Sequence, residues 1–122
     1  MTHDRIHWMR TLFLPTAGSP HADCWTPLVD VYRTRAGWLI KCDLAGVAPE
    51  DVTLAVQGPR LTVRGIRRDC CLEEGCSHYV LEISYSHFER TVELPENLDS
   101  ARVATEFRQG MLLVRIQTDT SR

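Results

Sequence analysis

Residues 103–116, VATEFRQGMLLVRI, decide how the chain is read. A polar-flanked strand pattern runs into Arg108-Gln109-Gly110 and out into the apolar run Met111-Leu112-Leu113-Val114, the pattern of a short hairpin. Gly110 supplies the positive φ that such a turn needs, and both flanks carry β-branched and aromatic residues. On the second strand Leu112, Val114 and Ile116 share one face, while Met111, Leu113 and Arg115 share the other. Three aliphatic side chains on one face describe a strand that closes a β core.

Working outward, the same alternation recurs upstream. Strands are expected at 28–32, at 38–44 (with Trp38, Ile40, Cys42 and Leu44 on one face), at 52–56 and at 61–66. Further strands are expected at 79–84, 88–94, 102–107 and 111–117, with a polar loop over 67–77. Gly37, Gly46, Pro49 and the pair Gly58-Pro59 punctuate them. About eight short strands with almost no helical periodicity predict an all-β sandwich. Residues 1–24 stand apart: a short amphipathic turn or helix near 4–14 and then a flexible linker, or else an arm packed on its own domain or on a partner.

Composition narrows the function. The chain has 122 residues, 14 basic and 16 acidic, for a net charge of −2. No basic block exists to neutralise phosphates, so nucleic acid is not an expected partner. No apolar run approaches the ~20 residues of a membrane span. The opening residues lack the pattern of a secretory signal, so a soluble, cytoplasmic protein is expected. Elements of known catalytic sites are missing: no G-x-S-x-G elbow, no phosphate-binding glycine loop and no H-E-x-x-H pair, so the chain is not read as an enzyme and no cofactor is expected.

Several segments, in order, resemble the α-crystallin domain of the small heat-shock proteins. Trp25-Thr26-Pro27 before Val29-Asp30-Val31 is similar to a W-x-P-x-x-D entry. Asp43-Leu44-Ala45-Gly46-Val47 resembles D-L-P-G-V, with alanine in the proline position. Leu61-Thr62-Val63-Arg64-Gly65 resembles L-x-I-x-G, and Phe88-Glu89-Arg90 with Leu94-Pro95 resembles F-x-R-x-x-x-L-P. Thr105 to Leu112 resembles A-x-x-x-x-G-x-L, with threonine in the alanine position. Each piece is common in β proteins; five in register over 25–117 are specific together.

The resemblance implies an immunoglobulin-like sandwich of two antiparallel sheets, a dimeric building block and ATP-independent holding of unfolding client proteins. It places a client groove at Leu54, Val56 and Ala104, with the strand at 102–107 facing the one at 52–56. It also implies a strand-exchange dimer in which 79–84 pairs with the partner's 29–32, so that Val29, Val31, Tyr79, Leu81 and Arg90 form the interface. Where the family often reads E-R-x-Y-G-x-F, this chain has Glu82-Ile83-Ser84-Tyr85-Ser86-His87-Phe88, without the arginine and the glycine. Residues 118–122 hold no I-x-I/V pair, and with the short arm this predicts a homodimer or small oligomer.

Two further features carry binding chemistry. Trp8, Met9, Leu12, Phe13 and Leu14 form an apolar cluster in the arm, a candidate client-binding surface. Cys70, Cys71, Cys76 and His78 have the ligand types zinc takes, but adjacent cysteines followed by a wide gap do not make a paired knuckle, so no metal is assigned. Five cysteines, an odd number without a regular framework, predict free thiols rather than a disulfide scaffold, with Cys42 a small buried hydrophobe and Cys24 a linker thiol. A thiol- or metal-responsive binding module, or a CS-domain-like co-chaperone adaptor on the same sandwich, is the alternative to a holdase.

Overall fold

A computed structural model of the protein describes residues 5–7, 24–69 and 73–118. It is an all-β sandwich of two antiparallel sheets. Its strands are β1 (Arg5–His7), β2 (Val29–Arg33), β3 (Gly37–Asp43), β4 (Val52–Gln57), β5 (Arg60–Arg67), β6 (Ser86–Glu93), β7 (Arg102–Arg108) and β8 (Met111–Gln117). One sheet runs β1-β7-β8-β3-β2 and the other β4-β5-β6. A 3-10 turn, Pro49–Asp51, leads into β4.

The hairpin at 103–116 sits in the middle of the larger sheet. Arg108 pairs with Met111 across a turn in which Gln109 and Gly110 both have positive φ, 53° and 78°. Two successive positive φ values match the right-handed twist of the flanking strands, and glycine makes the second of them cheap. Leu112, Val114 and Ile116 are buried opposite Cys42, Ile40 and Trp38 of β3. From the smaller sheet Leu54, Leu61, Val63 and Phe88 complete the core, each such side chain stabilising by roughly 1.5–3 kcal/mol. Gly65 lies where a Cβ would run into the Asp51 carbonyl and stand 2.7 Å from Phe88 Cζ, so only glycine fits there without a shift.

Two expectations need correction. Residues 79–84 belong to neither sheet. Arg67 pairs directly with Ser86, so β5 and β6 consume each other's edge, and the described residues between them, 68–69 and 73–85, pair with no strand of the protomer. The eighth strand lies instead in the arm, where a turn or helix was expected. Arg5–His7 pairs antiparallel with Thr105, Glu106 and Phe107, because the edge of β7 offers unpaired backbone groups that an extended segment satisfies.

Entry into β6 is strained. Ser86 has φ +82°, a left-handed conformation rarely taken by a residue with a side chain, at the position where the resembling pattern has glycine. Ser86→Gly removes that strain but loosens the unfolded chain, so a net gain of about 0.5 kcal/mol is expected as a rise in the denaturation midpoint.

On β7, Glu106 is buried and accepts from Arg115 at 2.6 Å and from Arg108 at 2.8 Å. The Arg115 hydrogen bond holds its carboxyl below the usual value, against the opposing effect of burial and with help from Arg108. A depressed carboxyl pKa stabilises the fold above the unfolded-state value, about 4.3, and that contribution is lost as pH falls through the folded pKa. Glu106→Gln is therefore expected to lower the melting temperature at pH 7, with the gap to the parent protein closing as pH is lowered below the carboxylate range.

Candidate functional site

The candidate site begins at the free edge of β2. Among the described residues this strand pairs only with β3, and Val31 and Tyr32 on it are exposed, with Leu28 just before it. Opposite in character and elsewhere in the chain, the connection 68–85 presents Tyr79, Val80, Leu81 and Ile83 to solvent, Tyr79 with 98% of its surface accessible. A bare strand edge and a bare apolar segment are each unusual on a finished surface. Val29 is half-buried against the core.

The root of the segment is clamped by Arg67. Its guanidinium lies 4.2 Å over the Trp25 ring and 5.8 Å from that of Tyr85, and it donates to the carbonyls of Ser84 at 2.9 Å and Ala45 at 3.0 Å. Trp25 packs at 5.1 Å on Phe88, exchanges backbone hydrogen bonds with His87 and Glu89, and donates Nε1 to Ser86. The W-x-P entry therefore lies along β6. Arg90, pointing to the same side as Phe88 and Val92, donates to the Pro27 carbonyl at 3.2 Å. That bond ties β6 to the segment entering β2; no carboxylate pairs with Arg90 among the described residues.

These ties put β6 on the β2 side of the sandwich and so place β4 on the β7 side. Leu54 and Val56 are core residues there, both buried. Ala104 does not meet them. It points outward with Leu39 and Arg115 into a cavity of about 340 Å³ on the other face of the sheet. The residues of β7 that face β4 are Val103, Thr105 and Phe107, of which Val103 and Phe107 pack on the core. A one-residue change of phase separates the two sets, and alternation alone could have found it: Val103, Thr105 and Phe107 pair with Ile116, Val114 and Leu112, the buried face of β8.

Of the cysteines, Cys24 and Cys42 are free and Cys76 is disulfide-bonded, which corrects the expectation of free thiols throughout. Cys42 is buried, and burial pushes its pKa up to about 12, with Arg90 pulling it down and Asp43 adding to the rise. His78 is exposed beside Cys76. Cys70, Cys71 and the arm cluster Trp8, Met9, Leu12, Phe13 and Leu14 lie outside the described residues. Among the described residues no helix is long and apolar enough to cross a membrane.

Relatives share this architecture. The chain is 30% identical over 92 residues, 75% of its length and 54% of the other's, to spore protein SP21 of Stigmatella aurantiaca. It is 24% identical over 90 residues to small heat shock protein C2 of Rickettsia felis, covering 74% of this chain and 58% of that one. The chain thus spans little more than half the length of these relatives. Among solved structures, hspA from Xanthomonas axonopodis superposes with a TM-score of 0.65 at 27% identity, over 80% of this chain and 98% of that one. Heat shock protein 16.0 from Schizosaccharomyces pombe has the same fold, with a TM-score of 0.70 at 23% identity over 89% and 78% of the two chains. The sequence model of the Hsp20/alpha crystallin family matches residues 30–122, which takes in all but the first residue of β2, the whole of β3 to β8 and the connection carrying the exposed segment. This chain belongs to the Hsp20/alpha crystallin family.

Proposed function

We propose that the protein is an ATP-independent chaperone that holds unfolding proteins and prevents their aggregation, working in the cytoplasm from a homodimer. The observation that carries the dimer is a pair of complementary unmet needs in one protomer. The β2 edge offers unpaired backbone groups beside Val31 and Tyr32, and 79–84 offers an exposed apolar segment without a strand partner among the described residues. The side chains of Tyr79, Val80, Leu81 and Ile83 stay exposed on their own protomer, so a second copy is the natural acceptor, each segment adding a strand beside the other's β2. Val29, Val31, Tyr79 and Leu81 form the interface in this reading, and Arg90 supports it from behind by fixing the approach to β2.

Clients bind at the opposite flank. A segment of an unfolding protein adds to a sheet edge through its backbone and is therefore recognised without regard to sequence. The β7 edge, with Val103 and Phe107 at its inner face and Leu54 and Val56 across from it, is that edge; Ala104 contributes from the outer face. Arg5–His7 occupies the edge at rest, so a client competes with the chain's own strand. The apolar cluster at Trp8, Met9, Leu12, Phe13 and Leu14 follows directly and supplies a second, adaptable contact.

Leu81→Asp places a charge in the dimer contact and should raise the dimer dissociation constant at least about tenfold by sedimentation velocity, with the melting curve of the domain unchanged. A dimer of parental strength in this variant overturns the interface. Deletion of residues 1–20 takes away both the β7 cap and the arm cluster. It should change the suppression of light scattering by a heated client, and an unchanged trace removes the arm from the mechanism.

A further inference from the structure

On the outer face of the larger sheet the register sets short side chains beside long ones. Ala104, Arg115 and Leu39 form one row across β7, β8 and β3, and Arg102, Gln117 and Gly37 form the next. Where Ala104 carries only a methyl group and Gly37 no side chain, the surface drops into the cavity of about 340 Å³, which Thr34 and Ala36 of the turn before β3 also line. Its wall is mainly apolar, with Leu39, Ala104, Trp38 and Ile116 in it.

The charge on that wall is all of one sign. Arg102 and Arg115 are the charged residues that line the cavity, and both are exposed. Arg115 is already engaged, donating to Glu106 at 2.6 Å, and the same carboxylate takes Arg108 at 2.8 Å. The Arg102 guanidinium has no hydrogen bond or ion pair among the described residues. Arg33 adds to the positive side, 4.7 Å over the Trp38 ring, while Glu96 is held by Trp38 Nε1 at 2.6 Å and by Thr118 at 3.4 Å. An unpaired guanidinium beside an apolar hollow is half of a recognition pair. Its planar fork of donors matches a carboxylate, and the hollow shelters the apolar body that the carboxylate carries.

We propose that this cavity binds a monocarboxylate on an unbranched apolar chain, a ligand of the fatty-acid type, with its carboxylate on Arg102 and its chain along Leu39 and Ala104. The volume lies at the small end of ligand pockets, roughly 300–1,000 Å³, so it takes one chain and not the surface of a folded partner. A neutral chain forgoes the charge-assisted bonds to Arg102, and a cationic one is repelled by both arginines. None of the lining residues belongs to the proposed dimer contact, and the site adjoins the client edge only at Ala104.

The test is isothermal titration calorimetry of the full chain with decanoate at neutral pH, below the concentration at which it forms micelles, beside decanol and decylammonium. Decanoate should bind once per protomer and more tightly than either. Arg102→Gln should weaken it about tenfold or more, because bonds to a charged group are lost. Ala104→Leu should abolish binding by filling the hollow. Saturating decanoate should raise the melting temperature of the parent protein and leave that of Ala104→Leu where it was. Both substitutions lie on the outer face, and the exposed Arg102 serves alone if Ala104→Leu does not fold. Decanol or decylammonium binding as tightly as decanoate, or Arg102→Gln binding at parental strength, overturns the carboxylate site. Undiminished binding in a folded Ala104→Leu protein overturns the cavity as its place. Absence of decanoate binding, with Ala104→Leu weakening the dimer in sedimentation velocity, assigns the hollow to a second copy and overturns the ligand.

Discussion

Backbone groups at a sheet edge must find partners or remain in water, and this sandwich meets that requirement differently at each edge. Arg5–His7 pairs with β7, supplying a strand from the same chain. Along β6 the requirement is met by Trp25, whose backbone bridges His87 and Glu89 while its ring packs on Phe88. Among the described residues the β2 edge carries no strand beyond it, and an exposed apolar stretch stands at 79–83. Apart from the short cap β1, among the described residues β2 and β4 are the terminal strands with nothing beyond them, while β7 and β6 are met by other parts of the chain.

The short segments of family resemblance are parts of a few shared contacts. Ala45 of the D-L-A-G-V corner is the atom that Gly110 of the hairpin turn must avoid, 3.2 Å from where a Cβ would stand, and the Leu44 N–H donates to the Gly110 carbonyl. Gly65 makes room for Phe88 of the F-x-R piece. Leu94 and Leu98, after the same piece, are buried with their N–H groups on the carbonyls of Pro59 and Gly58. Residues far apart in the chain are constrained together because each turn packs on another's backbone. Ser86 shows the same constraint without the usual residue: glycine is gone, yet the backbone keeps the conformation that glycine would take.

Much of this was legible in order. The strands of the core follow from alternation, since Ile40 and Cys42, Leu61 and Val63, and Leu112, Val114 and Ile116 each recur at the spacing of a half-buried strand. The candidate site was legible in part. Tyr79 to Ser84 alternates as well as any strand in the chain, but alternation states only that a segment suits a sheet, not that a sheet edge is available to it. Arg5–His7 is the reverse case, three residues with little pattern that pair because an edge stands open beside them. The β7 face was misplaced by one residue because Ala104 is itself small and apolar, although it alternates with Glu106 and Arg108 while Val103 alternates with Thr105 and Phe107.

Periodicity and turn residues by themselves determined the all-β class, the order of the core strands and the hairpin at Gly110. Those properties are local or summed, and each residue carries its share of them. Which edges are covered, where Arg67 and Arg90 reach, and which cysteine is bonded were decided only by tertiary structure. Each depends on two segments distant in the chain arriving at the same place, and no single segment records where the other will be.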